Sequence, residues 1–249
     1  MLRSFLIALQ FLTRVPVPGL KAREAEIGPA SAFFPLVGAL IGVSAALIFR
    51  GASRILPHST SIILILIFMS VITNAFHEDG LADALDGFGG GWSREAVLAI
   101  MKDSRLGTFG ALGLIFLILA KYNLLSLIDP SHLWRWLVFA PTAGRWSALP
   151  LCLGLDYARE EGQAKLVARR IPRLAFVFGT LTLLVSSLVL GFGAAALALS
   201  VAVAVVLLTG WYYRHRLGGV TGDCLGATNQ LVEVAVYLVA VALMTKNGG

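Results

Sequence analysis

Long apolar runs separated by short polar segments set the character of this chain. They cover residues 33–50, 58–77, 108–128, 133–152, 174–191, 194–213 and 227–245. Each is close to the roughly 20 residues that an α-helix needs to cross a bilayer. The pattern predicts an all-α, polytopic membrane helix bundle with about seven transmembrane helices. The apolar run at 3–13 is shorter and lacks a small-residue cleavage site, and Arg14, Pro16 and Pro18 follow it at once. It reads as an N-terminal interfacial helix on the membrane surface rather than a signal peptide. Residues 19–29 read as a polar loop, and Pro35 falls in the first turn of the first span, where a helix tolerates it. Gly38 and Gly42 form a small-xxx-small face that lets another helix approach closely.

Composition narrows the class further. Of 249 residues, 57% are hydrophobic and only 14% charged, and no shift in composition divides the chain, so residues 1–249 read as one integral-membrane domain. The net charge of +6 does not point to nucleic acid, because the basic residues follow membrane topology. With the N-terminus inside, the cytoplasmic segments hold Arg3, Arg14, Lys21, Arg23, Arg94, Lys102, Arg105, Arg159, Lys165, Arg169, Arg170, Arg173, Arg214 and Arg216, and the opposite side holds Arg50, Arg54, Arg135 and Lys246. Fourteen against four satisfies the positive-inside rule. The two cysteines, Cys152 and Cys224, have neither disulfide nor zinc spacing and read as packing residues.

The second span runs into His77-Glu78-Asp79-Gly80-Leu81-Ala82-Asp83-Ala84-Leu85-Asp86-Gly87. If that helix continues, Asp79, Asp83 and Asp86 at i, i+4 and i+7 share one face just beyond the membrane boundary. Neighbours of this kind, mostly Leu, Ala, Phe and Gly, are not those of an ordinary solvated acidic face. Three clustered carboxylates repel unless a cation lies among them, and Mg²⁺ takes a few carboxylates and completes its shell with water or phosphate. The run Gly87-Phe88-Gly89-Gly90-Gly91 is expected to end the helix, either as a phosphate-cradling loop or as a flexible connector.

Cationic candidates follow. Lys102 and Arg105, in a short helix at 94–106, suit a phosphate held by a metal, with Asp103 between them; the competing reading is a basic patch on lipid headgroups. Lys121 and Arg145 fall inside predicted spans, where ionisable residues are costly and functional by default. Arg145 is placed to reach a substrate phosphate or a carboxylate of a neighbouring span. The basic loop 153–173, with Arg169, Arg170 and Arg173, reads as a lipid anchor. Asp223 opens the last span among glycines, as a helix cap or a site residue, and Asn229 and Glu233 follow on the same helix, facing the bundle interior.

Taken together, these strings resemble the cobalamin synthase (adenosylcobinamide-GDP ribazoletransferase) family. The resemblance rests on Phe11 to Pro18, Phe34 to Gly38, His77 to Asp83 with Asp86-Gly87, Met101 to Gly107, Tyr157 to Gly162, and Thr221 to Asn229, in the family's order over nearly the whole chain. It implies a magnesium-dependent transferase of the cell inner membrane, its site on the cytoplasmic face, that completes the lower nucleotide loop of vitamin B12. A hydroxyl of α-ribazole or its phosphate attacks the phosphorus attached to cobinamide, and GMP leaves. On this reading Asp79, Asp83 and Asp86 hold Mg²⁺, and Lys102, Arg105 and Arg145 hold phosphates. Either Glu78 or His77 takes the hydroxyl proton. Asp103 and Asp223 are further candidates for metal or substrate, with Arg159 and Asn229 on the substrate side. The implied partners are these small molecules and membrane lipid, without nucleic acid; a homo-oligomer is compatible with the reading.

Two rivals compete. Asp83 to Gly87 also begins the Asp-x-x-Asp-Gly signature of CDP-alcohol phosphotransferases, but Gly90-Gly91 stand where that family needs Ala-Arg. A transporter with Lys121 and Arg145 as a charge relay leaves the acidic stripe without a purpose and lacks an evident inverted repeat.

Overall fold

The computed structural model describes residues 1–159 and 171–247; the expected lipid-anchor residues Arg169 and Arg170, and Glu160 to Gly162, lie outside the described residues. The described chain is built of helices joined by short connections. In order they are α1 (Leu2–Leu12), α2 (Glu24–Ala30), α3 (Phe34–Ala52), α4 (His58–Ile72), α5 (Phe76–Gly90), α6 (Arg94–Lys102), α7 (Thr108–Leu127), α8 (Pro130–Trp146), α9 (Ala148–Gly154), α10 (Arg173–Ser187), α11 (Phe192–Leu217) and α12 (Gly222–Asn247).

All seven expected spans overlap helices. By length and apolarity, five segments are able to cross a membrane singly: Glu24–Ala52, Thr108–Leu127, Arg173–Leu190, Phe192–Leu217 and Gly222–Thr245. A sixth qualifies only as the pair α4 and α5, bent by 84°. The seventh expectation, 133–152, is divided between α8 and α9 at Ser147. The chain is a multi-pass membrane protein, and its outer surface agrees: Leu47, Ile67, Phe116, Leu119 and Leu207 are exposed, as hydrocarbon permits and water does not.

Three local expectations change. The polar loop at 19–29 contains α2, started by Glu26, whose carboxylate accepts the Arg23 backbone N–H at 2.9 Å and whose own N–H donates to the Arg23 carbonyl at 2.9 Å. The second span does not carry on into the acidic stripe. Asn74 and Ala75 adopt left-handed backbone with φ of 56° and 51°, Ala75 N–H closes onto the Ser70 carbonyl at 2.7 Å, and the chain leaves at a steep angle. Finally, the glycine run is helical as far as Gly90. A Cβ on Gly87 would overlap Met101 and one on Gly89 would overlap the Phe109 ring, so glycine serves close packing there rather than a loop.

Helix α12 runs through the middle, against α5, α7, α8 and α11, while α3 lies along α8. The α3–α8 contact is set by Gly38 and Gly42, which rest directly on the backbone of Pro141 and Leu137. In hydrocarbon, where apolar side chains gain little by leaving lipid, this close backbone approach is what drives association. Helix α1 closes one end, with Ile7, Ala8 and Leu12 buried and Phe11 stacked on Phe34 at 5.6 Å.

Candidate active site

Helices α5 and α12 cross where two glycines meet. A Cβ on Gly80 would lie 3.2 Å from the Asp223 Cα and 3.3 Å from the Gly226 Cα. This contact brings Asp79 and Asp83 to the side of Asp223, which the chain reaches only in its last helix. Thr221 caps α12 by accepting the Cys224 N–H at 3.2 Å, so Asp223 is not needed as the cap. Its carboxylate instead accepts from Arg159 Nη2 at 2.6 Å. Arg159 is carried there by a backbone clasp: Ala158 N–H donates to the Val220 carbonyl and Val220 N–H to the Asp156 carbonyl, both at 2.8 Å. Arg94 fastens the same corner, with Nε on the Leu217 carbonyl and Nη2 on that of Ala158.

Helix α5 is the second arm of the bent α4–α5 pair. Its Asp83 is half-buried. The negative charges of Asp223 and Asp79 face its carboxyl, and Arg159 stands beside them. Anions crowded in a partly dry site repel one another unless a cation lies among them.

Asp86 has a different role from the expected one. Gly107 N–H donates to Oδ2 at 2.7 Å and Gly110 N–H to Oδ1 at 2.8 Å, so both oxygens are bound to the N-terminus of α7. Charge and helix dipole favour this placement, and a Cβ at Gly107 or Gly110 would overlap the carboxylate. Asp86 therefore leaves the expected metal-ligand set as a cap supplied by a neighbouring helix. Among the described residues, no group of three or more His, Cys, Asp or Glu is arranged to hold a metal ion. The acidic group that the fold assembles is Asp79, Asp83 and Asp223.

The expected phosphate clamps also separate. Lys102 and Arg105 are exposed at the α6–α7 connection, and Arg105 is engaged by Asp103, its Nε 3.0 Å from Oδ2. Neither makes a hydrogen bond to the acidic group. Arg145, 3% exposed, meets the carboxylate of Glu233 on α12 through Nη1, the neighbouring-span alternative. Lys121 Nζ reaches the other oxygen of Glu233 at 2.7 Å and also donates to Gln230. Two buried cations thus share one buried carboxylate. Gly144 makes room for this, since a Cβ there would lie 3.1 Å from Glu233 Cγ.

His77 and Asn229 are buried with Arg145 around a cavity of about 40 Å³, enough for an ordered water. His77 Nδ1, Asn229 Oδ1 and Arg145 Nε have no hydrogen-bond partner among the described residues. Glu78 is half-buried and accepts from Ser70 Oγ at 3.2 Å. Sequence reasoning missed Arg94 as a fastener and Glu233 as the shared counter-ion. The one available signal for Glu233 was a carboxylate inside an apolar span that contains no cation of its own near it.

A profile of the family described as "Cobalamin-5-phosphate synthase" matches residues 4–241. The chain belongs to that family. Curated relatives named "Adenosylcobinamide-GDP ribazoletransferase" include one from Ralstonia nicotianae, 42% identical over 253 residues, covering 96% of this chain and 95% of that protein. Another, from Shewanella amazonensis, is 42% identical over 254 residues, covering 99% and 97%. A third, from Shewanella piezotolerans, is 39% identical over 245 residues, covering 95% and 94%. No solved structure matches the chain. Membership of that family, with relatives of that name over nearly the whole chain, makes the protein a transferase.

Proposed function

We propose that this protein is an adenosylcobinamide-GDP ribazoletransferase of the inner membrane, with its site on the cytoplasmic face at the α5–α12 crossing. A hydroxyl of α-ribazole or its phosphate forms the new O–P bond to the phosphorus attached to cobinamide. The P–O bond to GMP breaks, GMP carries away the electron pair, and the hydroxyl proton passes to a base. The observation that carries this reading is the convergence of Asp79, Asp83 and Asp223 beside Arg159, in a chain whose relatives bear that name.

The donor set fits Mg²⁺: it consists of oxygen only, and Mg²⁺ needs just one or two carboxylates when substrate phosphates and water complete its shell. Asp79 and Asp83, one turn apart on α5, would hold it, with Asp223 facing them. Bound there, the ion would neutralise charge on the pyrophosphate. Arg159 orients Asp223 and offers a guanidinium beside the phosphates, the kind of positioning and charge compensation on which phosphoryl transfer depends. Either Glu78, half-buried, or His77, enclosed, takes the hydroxyl proton.

The test is purified protein incubated with adenosylcobinamide-GDP, α-ribazole and Mg²⁺, with GMP release followed. Turnover that disappears with chelator and falls at least about 10²-fold in Asp83→Asn supports the reading. Full turnover in chelator, or in Asp79→Asn, Asp83→Asn and Asp223→Asn alike, refutes it.

A further inference from the structure

An apolar groove of about 550 Å³ lies between α5, α7, α11 and α12. On α5 it is lined by Leu81, Ala84, Leu85 and Phe88, which at 3.6 residues per turn fall on the side away from Asp79 and Asp83. The groove is therefore behind the acidic helix and separate from the proposed reaction site. Its wall is almost wholly apolar: the Thr209 hydroxyl donates to the Val205 carbonyl at 2.8 Å, and the Tyr213 hydroxyl is 3.1 Å from that of Thr228. Such a space suits hydrocarbon.

One end of the groove is cationic. On α11 the lining residues Thr209, Tyr212 and Tyr213 stand at i, i+3 and i+4, and Arg216 follows at i+7 on the same face. Its guanidinium is 5.9 Å from the ring centroids of both Phe88 and Tyr212. It donates to the Gly91 carbonyl at 2.8 Å, and no carboxylate among the described residues pairs with it. Arg214 and the exposed Trp211 share this last stretch of the span, a composition typical of the headgroup level.

We propose that the groove binds one anionic phospholipid, an acyl chain lying between α5, α7, α11 and α12 and the phosphate resting on Arg216. Hydrocarbon alone would accept any lipid. The guanidinium at the mouth, unpaired among the described residues, selects negative charge, by roughly the fivefold expected of one basic side chain at an anionic surface.

The test uses the full chain, delipidated in detergent, and native mass spectrometry with phosphatidylglycerol or phosphatidylcholine of identical acyl chains. Wild type is expected to retain one phosphatidylglycerol about fivefold more than phosphatidylcholine. Arg216→Gln should abolish that preference while leaving phosphatidylcholine retention unchanged. Ala120→Trp or Leu208→Trp, each filling the groove, should displace both lipids; Leu208 is 67% exposed, so its variant tests occupancy even if Ala120→Trp fails to fold. Equal retention of the two lipids by wild type overturns the proposal. So does a preserved preference in Arg216→Gln, or undiminished retention in a groove-filling variant whose thermal midpoint matches wild type.

Discussion

Replacing Glu233 by Gln should cost far more than an isosteric change normally does. Glu233 is 1% exposed and accepts from Lys121 at 2.7 Å and from Arg145. The three groups sum to one positive charge; the variant raises this to two in the bundle interior and leaves both cations without a counter-ion. Removing one partner from a buried ion pair costs about 3–5 kcal/mol. Gln preserves the volume and one acceptor, which places this case near 3 kcal/mol, a little more than a hundredfold in the folding equilibrium. The double variant Glu233→Gln, Lys121→Met restores the original single charge. It should therefore recover at least about 1.5 kcal/mol relative to the sum of the two single costs, within the range of coupled neighbours. Reversible unfolding in mixed detergent micelles, followed by tryptophan fluorescence, measures all four proteins; Trp136 and Trp146 are buried in α8, on the same helix as Arg145. A Glu233→Gln variant within 0.5 kcal/mol of wild type, or strict additivity in the double variant, would refute the shared counter-ion.

Asp86 and Asp83 should respond in opposite ways. Asp86→Ala strips both carboxylate contacts from the start of α7 and should cost about 2 kcal/mol of stability, whereas Asp83→Asn should leave stability undiminished while turnover collapses; unfolding and GMP-release measurements on the same preparations decide. Gly80→Val should push α5 away from α12 and lower turnover at least about tenfold with helical content intact, checked by circular dichroism; unchanged turnover would show that the crossing does not organise the site.

Hydropathy and periodicity alone establish the all-α membrane class and the location of every long apolar helix, because each depends only on residues that are close in sequence. The inward orientation of Asn229 and Glu233 and the close approach at Gly38 and Gly42 were legible for the same reason. Continuity of a helix was not. Ala75 carries no sign of a left-handed turn, so an apolar run followed by an acidic stripe looked like one rod where the structure bends by 84°. Spacing likewise placed Asp79, Asp83 and Asp86 on one face, but it cannot say what that face meets. Asp86 met the amides of α7, while Asp79 and Asp83 met Asp223 through a glycine crossing. The same holds for Arg145, whose choice between a substrate phosphate and a carboxylate depended on where Glu233 came to lie. Local pattern determines which side of a helix is buried. Which charges pair across helices falls off with distance through a low-dielectric interior, and those distances exist only once the helices have packed.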